Sequence, residues 1–226
     1  MLWIQPVSVG YSSPHMKVVF WDWNGTLVND ASVLCDSFNR VLQKRGIQTV
    51  SLDRYREISQ HPVQLMYEEM GLDFARHSFQ EIAEEWHRHY CDRALDIQLH
   101  HDSLNTLQAL QLRGARQMVL SALPKDVLTQ SVRSYSVENF FEHVVGIHRN
   151  RADTKVAEGV SLLRRLGVKG TDVTIIGDSS HDVEVARELK AHCILVARGA
   201  ESRSRLEAHG FPVLDSFSAI IHPENP

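Results

Sequence analysis

The sequence predicts an α/β fold, a doubly wound, three-layer parallel sheet that carries an inserted all-α cap. Three observations lead there. The run Lys17–Trp21 is apolar and partly β-branched after its lysine and ends on a glycine turn, as a strand covered on both faces should. Residues 31–99 show helical periodicity and no strand signal, whereas from Arg116 onward short apolar strands alternate with amphipathic helices. Strands joined through helices pair in parallel by right-handed crossovers.

Residues 1–15 read as an N-terminal extension, loosely ordered or the product of an upstream start, because Met16 falls directly before the first strand. They lack both the basic start and the continuous apolar stretch of a secretory signal. Asp30 then precedes an amphipathic helix through Arg45, with Val33, Leu34, Phe38, Val41 and Leu42 at helical spacing, and Gly46 ends it. Helices are expected over Leu52–Glu57, Pro62–Met70 and Phe79–Leu95, the last with Ile82, Trp86 and Tyr90 on one stripe. A boundary near Leu99–Asp102 divides the chain into a core of residues 16–30 and 100–226 and a cap of residues 31–99. The core continues as helix Ser103–Arg113, strand Gln117–Leu120, helix Pro124–Ser134, strand His143–Gly146 and helix Thr154–Leu166. Strand Val173–Ile176, helix His181–Leu189, strand Cys193–Val196 and a final helix with a short strand near Val213 complete it. The first strand belongs at the centre, beside those ending at Ser121 and Asp178, and the crevice beyond such strand ends is where these sheets bind ligands.

Bulk properties narrow the function. A length of 226 residues suits one α/β domain with an inserted module, and 43% hydrophobic and 23% charged residues are ordinary globular values. The formal charge of −4 and pI near 6.3, without a clustered basic stripe, argue against a nucleic-acid surface, and no stretch is long and apolar enough for a bilayer. Cys35, Cys91 and Cys193 are widely spaced and form no Cys-x-x-Cys pair, as expected of reduced thiols in a cytoplasmic protein. Of the 13 histidines, His87 and His89 stand two apart on a helix and face different ways, and His100 and His101 sit together in a hinge; neither pair reads as a metal site.

Four short segments carry chemistry. Asp22-Trp-Asn24-Gly25-Thr26 delivers a carboxylate onto a turn that glycine permits, with the Thr26 hydroxyl or amide free to meet an anion. Ser121 ends a strand, and the amides of Ala122 and Leu123 lead into a helix expected at Pro124, an arrangement for phosphate oxygens. Lys155 opens an amphipathic helix, and Gly177-Asp178-Ser179-Ser180-His181-Asp182 sets two acids one turn apart. Singly these are an Asx turn, a routine cap, a solvated lysine and a helix-capping acid pair. Together, in this order, they supply what phosphoryl transfer through a carboxylate needs.

That order resembles the haloacid dehalogenase-like superfamily of phosphohydrolases, whose motifs are Asp-x-Asp-Gly-Thr, a strand-end Ser or Thr, a Lys, and Gly-Asp-x-x-x-Asp; the resemblance runs from Met16 to about Leu214. The insert is similar to the helical cap of the phosphoglycolate phosphatase and β-phosphoglucomutase branch. The resemblance implies that Asp22 is a nucleophile passing through an aspartyl phosphate. It implies Mg²⁺ held by Asp22, the backbone carbonyl of Asn24, Asp178 and, directly or through water, Asp182. It places the substrate phosphate on Gly25, Thr26, Ser121, Ala122 and Lys155, with Lys169 and Arg151 as substitutes for the lysine. His61 in the cap is the expected contact that binds an anionic leaving group or relays a proton, and Trp21 and Trp23 flank the nucleophile, one of them as a wall against bulk water. The partner is then a small phosphorylated metabolite and the protein a monomer or homodimer.

Two positions depart from the family pattern. Val156 stands where a proline usually follows the lysine, and Asn24 replaces the second aspartate of the first motif. An amide neither gives nor takes a proton near neutral pH. Loss of a general acid/base costs about 10²- to 10⁴-fold in rate. The expectation is a Mg²⁺-dependent phosphatase of a natural subfamily with another proton route. A phosphate-binding regulatory protein or weakly active homologue is the alternative, followed by a phosphomutase and last a dehalogenase, which does not need Asp178 and Asp182.

Overall fold

A computed structural model describes residues 16–60, 62–148 and 154–221. The extension 1–15, His61 and Arg151 lie outside these residues. The elements of the first half are β1 (Val18–Trp21), β2 (Val28–Asn29), α1 (Ala31–Lys44), α2 (Leu52–Ile58), α3 (Gln64–Glu69), α4 (Phe79–Asp92), β3 (Gln98–Leu99) and α5 (Ser103–Leu112). There follow β4 (Arg116–Pro124), α6 (Lys125–Ser134), β5 (His143–Ile147), α7 (Lys155–Leu166), β6 (Val173–Gly177), α8 (Ser180–Leu189), β7 (His192–Val196), α9 (Arg203–Glu207), β8 (Val213–Leu214) and α10 (Ser218–Ile221).

Among the described residues the main sheet has six parallel strands in the order β5-β4-β1-β6-β7-β8. β1 is buried at every position, with Val19 and Trp21 in one apolar cluster and Val18 and Phe20 in the other, because successive side chains leave a strand on opposite faces. Leu107 and Leu110 of α5, Leu128 and Val132 of α6 and Ile220 of α10 cover the first face. Leu162 of α7, Val183 and Ala186 of α8 and Leu206 of α9 cover the second. This is the three-layer, doubly wound arrangement expected from the alternating pattern. Trp21 lies level with Val119 and Ile176, so Asp22 and Asp178 leave the sheet at the same end at which Ser121 lies in β4.

Helices α1 to α4 bury their stripes in a cluster of their own, in which Phe38 meets Tyr67 and Tyr55 at ring distances of 4.8 and 5.6 Å. The Ser78 hydroxyl and the Glu81 side chain cap the start of α4 reciprocally. α4 stops at Asp92 rather than Leu95, and a 3₁₀ turn over Ala94–Asp96 follows.

Two expectations need correction. The segment read as strandless contains β3, which pairs antiparallel with β2 (Val28 opposite Leu99, Asn29 opposite Gln98) where the chain leaves and re-enters the core. Two residues are too few to show a period of two. The second correction lengthens the strand expected over Gln117–Leu120: β4 runs to Pro124, with a register shift after Leu120 that brings Pro124 opposite Ile147, and α6 starts at Lys125 instead of Pro124. Gly146 makes this possible, since a Cβ there would lie 2.5 Å from the Leu123 carbonyl oxygen.

Candidate active site

Asp22 is the first residue beyond β1, and its amide donates to the Ile176 carbonyl at 2.8 Å, which ties it to β6. Oxygens of Asp22, Asp178 and Asp182, all buried, lie within 4.8 Å of one another. The Lys155 ammonium donates to Asp22 Oδ1 and to Asp182 Oδ1, the latter at 2.5 Å. A lysine in a first helical turn is ordinarily solvated; this one is 3% exposed. Thr154 caps its helix by accepting from the Ala157 amide at 3.2 Å.

Asp178 is held from two sides. The Thr26 hydroxyl donates to its Oδ1 (2.9 Å) and the Ala200 amide to its Oδ2 (2.8 Å). Gly25 has φ +74°, and a Cβ on it would stand 2.3 Å from Asp178 Oδ2, so the turn needs glycine for conformation and for space. Asp182 does two things at once. Its Oδ2 accepts from the Asp178 amide (3.2 Å), the Ser179 amide (3.1 Å) and the Ser179 hydroxyl (2.7 Å), as a helix-starting acid does, while Oδ1 faces Lys155.

Burial lifts the Asp22 carboxyl from 3.8 to about 6 against the pull of Lys155. It raises Asp178 well above its ordinary value, with the charges of Asp22 and Asp182 acting the same way. Burial works against Asp182 too, but Lys155 and Ser179 outweigh it and hold that carboxyl low. The Lys155 ammonium is burdened by burial yet pushed up, because Asp182 and Asp22 favour its charged form. With all three carboxylates ionised against one ammonium the buried site would carry two negative charges, the charge that one divalent cation cancels. An all-oxygen donor set is what hard cations take.

Ser121 is buried at the end of the same crevice, and its Oγ accepts from the Leu123 amide at 3.2 Å. That contact commits one of the two amides expected to face phosphate; Ala122 itself is exposed. The Gly25 amide donates to Asp30 Oδ1 (2.8 Å). Asn24 Nδ2 donates to Asp30 Oδ2 (2.6 Å) and to the Tyr90 hydroxyl (2.9 Å), which places a cap residue of α4 in the first motif. Trp21 and Trp23 are fully buried and donate to Gln117 Oε1 (3.0 Å) and Ser131 Oγ (2.9 Å), so both are anchored in the core. Lys169 follows α7 at the start of the turn before β6.

Several residues in this region went unread in the sequence. Arg198 follows β7 and donates to Asp102 Oδ1 (2.7 Å) and to the Thr26 carbonyl (3.1 Å), with its guanidinium 3.9 Å from the Phe217 ring centre. Arg56 of α2 reaches from the cap to the carbonyls of Gly199 (3.0 Å) and Arg198 (3.1 Å), beside the amide that holds Asp178. The signal available was position alone: residues just beyond parallel strand ends line the crevice. A separate groove of about 640 Å³, lined by Lys125, Thr129, Arg133 and His148 among others, runs along α6 and β5, and neither Asp22, Asp178, Asp182 nor Lys155 lines it.

The family model for haloacid dehalogenase-like hydrolases matches residues 19–196. A phosphoglycolate phosphatase of Aliivibrio fischeri is 20% identical over 229 residues, covering 92% of this chain and 93% of its own length. One from Aquifex aeolicus is 21% identical over 179 residues, covering 76% and 80%. Among solved structures, a predicted phosphatase from Clostridium acetobutylicum superposes with a TM-score of 0.75 at 20% identity, over 91% of this chain and 96% of that one. With the matched span running from β1 through β7, the chain belongs to the haloacid dehalogenase-like hydrolase family.

Proposed function

We propose that the protein is a Mg²⁺-dependent phosphatase acting on a small phosphorylated metabolite through an aspartyl phosphate on Asp22. The observation that carries this reading is the buried cluster of Asp22, Asp178 and Asp182 bridged by Lys155. Asp22, Asp178, Asp182 and the Asn24 backbone carbonyl would hold the ion, and when bound it offsets charge on the phosphoryl oxygens. Asp22 attacks phosphorus in line and the ester oxygen departs. Lys155 orients the nucleophile and meets a phosphoryl oxygen. The Ser121 hydroxyl accepts from Leu123, so its own proton is the one left to donate to phosphate. Gly25 supplies the turn, and backbone amides of Thr26 and Ala122 complete the cradle.

Arg56 and Tyr90 bring the cap against the core, which supports closure over the substrate and exclusion of water. Phosphoglycolate, the compound named for the curated relatives, is the nearest analogue and a comparison compound, not an assigned substrate. The free thiols Cys35, Cys91 and Cys193 support a cytoplasmic setting, and we take the protein as a monomer or homodimer that engages neither nucleic acid nor membrane. Hydrolysis of an aryl phosphate, followed with Mg²⁺ and with chelator, tests the reading. Activity must depend on the ion and vanish in Asp22→Asn. Turnover that ignores both refutes it; slow turnover with stable, stoichiometric phosphoprotein favours the regulatory reading that Asn24 motivates.

A further inference from the structure

Of the two polar atoms on the Asn24 side chain, Nδ2 is fixed and Oδ1 is not. Its two amide hydrogens go to Asp30 Oδ2 (2.6 Å) and to the Tyr90 hydroxyl (2.9 Å). That hydroxyl donates to the same Asp30 oxygen at 2.8 Å, and the Gly25 amide holds the other at 2.8 Å. Asp30 stands at the N-cap position of α1 yet makes no side-chain bond to that helix; its carboxylate is turned to Asn24, Gly25 and Tyr90 instead. A flipped amide would set Asn24 Oδ1 against the Asp30 carboxylate, acceptor on acceptor, so the network decides the orientation. What remains is Oδ1, buried and without a hydrogen-bond partner among the described residues.

We propose that Asp30 and Tyr90 are positioning residues that lock Asn24 with its oxygen as a pure acceptor, and that the enzyme, lacking an acid at position 24, acts on phosphoryl donors whose leaving group departs without a proton: acyl phosphates, phosphoanhydrides and aryl phosphates. The inference rests on the phosphatase reading and narrows its substrate class. In the first step the bond from Asp22 oxygen to phosphorus forms and the bond to the leaving oxygen breaks, with the electron pair leaving on that oxygen as an anion. No group at position 24 can protonate it. A carboxylate or phenolate, whose conjugate acid has a pKa of about 4 or about 10, tolerates this, whereas an alkoxide does not. In the second step water attacks the aspartyl phosphate, the phosphorus bond to Asp22 breaks, and the carboxylate is regenerated. Asn24 Oδ1 accepts one hydrogen bond from that water and orients it; both water protons leave with the product as dihydrogen phosphate, so nothing is transferred to the amide.

The test is a leaving-group series at fixed Mg²⁺: acetyl phosphate, 4-nitrophenyl phosphate, O-phosphotyrosine, glycerol 2-phosphate and phosphoglycolate. Wild-type kcat/KM must fall by about 10²-fold or more between the acyl and aryl members and the alkyl members. In Asn24→Asp the new carboxylate meets Asp30 across the same contact, and the shared proton is held between them. The single variant then gains nothing on alkyl phosphates. The exchange Asn24→Asp with Asp30→Asn restores a complementary pair with the acid facing the site and raises alkyl phosphate turnover selectively. A wild-type profile flat within about 10-fold overturns the inference while leaving the phosphatase reading intact. Absence of transfer from every donor overturns both.

Discussion

Removing the Lys155 ammonium tests the buried cluster directly. In Lys155→Met the stem volume is nearly kept, but Asp22 and Asp182 lose the cation that each meets at hydrogen-bond distance, and Asp178 loses the nearby positive charge. With Lys155 3% exposed and Asp182 fully buried, solvent cannot take over. Stripping one partner from a buried ion pair costs about 3–5 kcal/mol, a large share of the ~5–15 kcal/mol that holds a domain folded. The control is Arg203→Met, which breaks ion pairs to Glu207 and Asp215 on a side chain 39% exposed, where the cost is at most about 1 kcal/mol. Urea unfolding in chelator measures both. The Lys155 variant must unfold at clearly lower denaturant than the control, and millimolar Mg²⁺ must recover part of the loss by binding the folded state. Equal, small losses in the two variants would refute a buried carboxylate cluster that depends on its lysine.

Three other outcomes are expected. Asp22, raised from 3.8 to about 6, keeps a proton in the folded chain that the unfolded chain has released, so its contribution is full below about pH 4 and is lost as pH rises through 6, by at most about 3 kcal/mol. Asp178 shifts the same way, while the lowered Asp182 acts only below this window; thermal unfolding in chelator at pH 4.5 and 7 should show the slope, and Asp22→Asn should flatten it. Gly199→Ala puts a Cβ 1.9 Å from Asp178 Oδ2, displacing that carboxylate, and should weaken Mg²⁺ binding by calorimetry with little change in circular dichroism. Arg198→Met cuts the link between Asp102 and the Thr26 carbonyl but keeps apolar contact with Phe217, so kcat/KM for an aryl phosphate should fall by about 10-fold while the far-ultraviolet spectrum is unchanged; an unaltered rate would show the link to be dispensable.

Much of the fold was legible because both-face burial leaves a strong mark: β1 is wholly apolar, β6 is interrupted only by Thr174, β7 is apolar from Cys193 to Val196, and the cap helices carry clean stripes. The acids and the lysine were legible because each directly follows a strand or opens a helix, where position implies the crevice. The β2–β3 ribbon was not, since its two-residue strands are specified by pairing with each other and not by pattern. Nor was the length of β4, which depends on how closely Gly146 lets two backbones approach. Arg56 and Arg198 look like surface cations in one dimension; their carbonyl partners belong to loops far along the chain.

By itself the sequence determined the order of the main-sheet strands and the helices between them, the family motifs and the amide at position 24, because apolar period and residue type are local properties. Only the tertiary structure decided what that amide does. Asp30 lies six residues on and Tyr90 sixty-six, and the orientation of Asn24 follows from their converging on it, a matter of hydrogen-bond complementarity that no local pattern encodes.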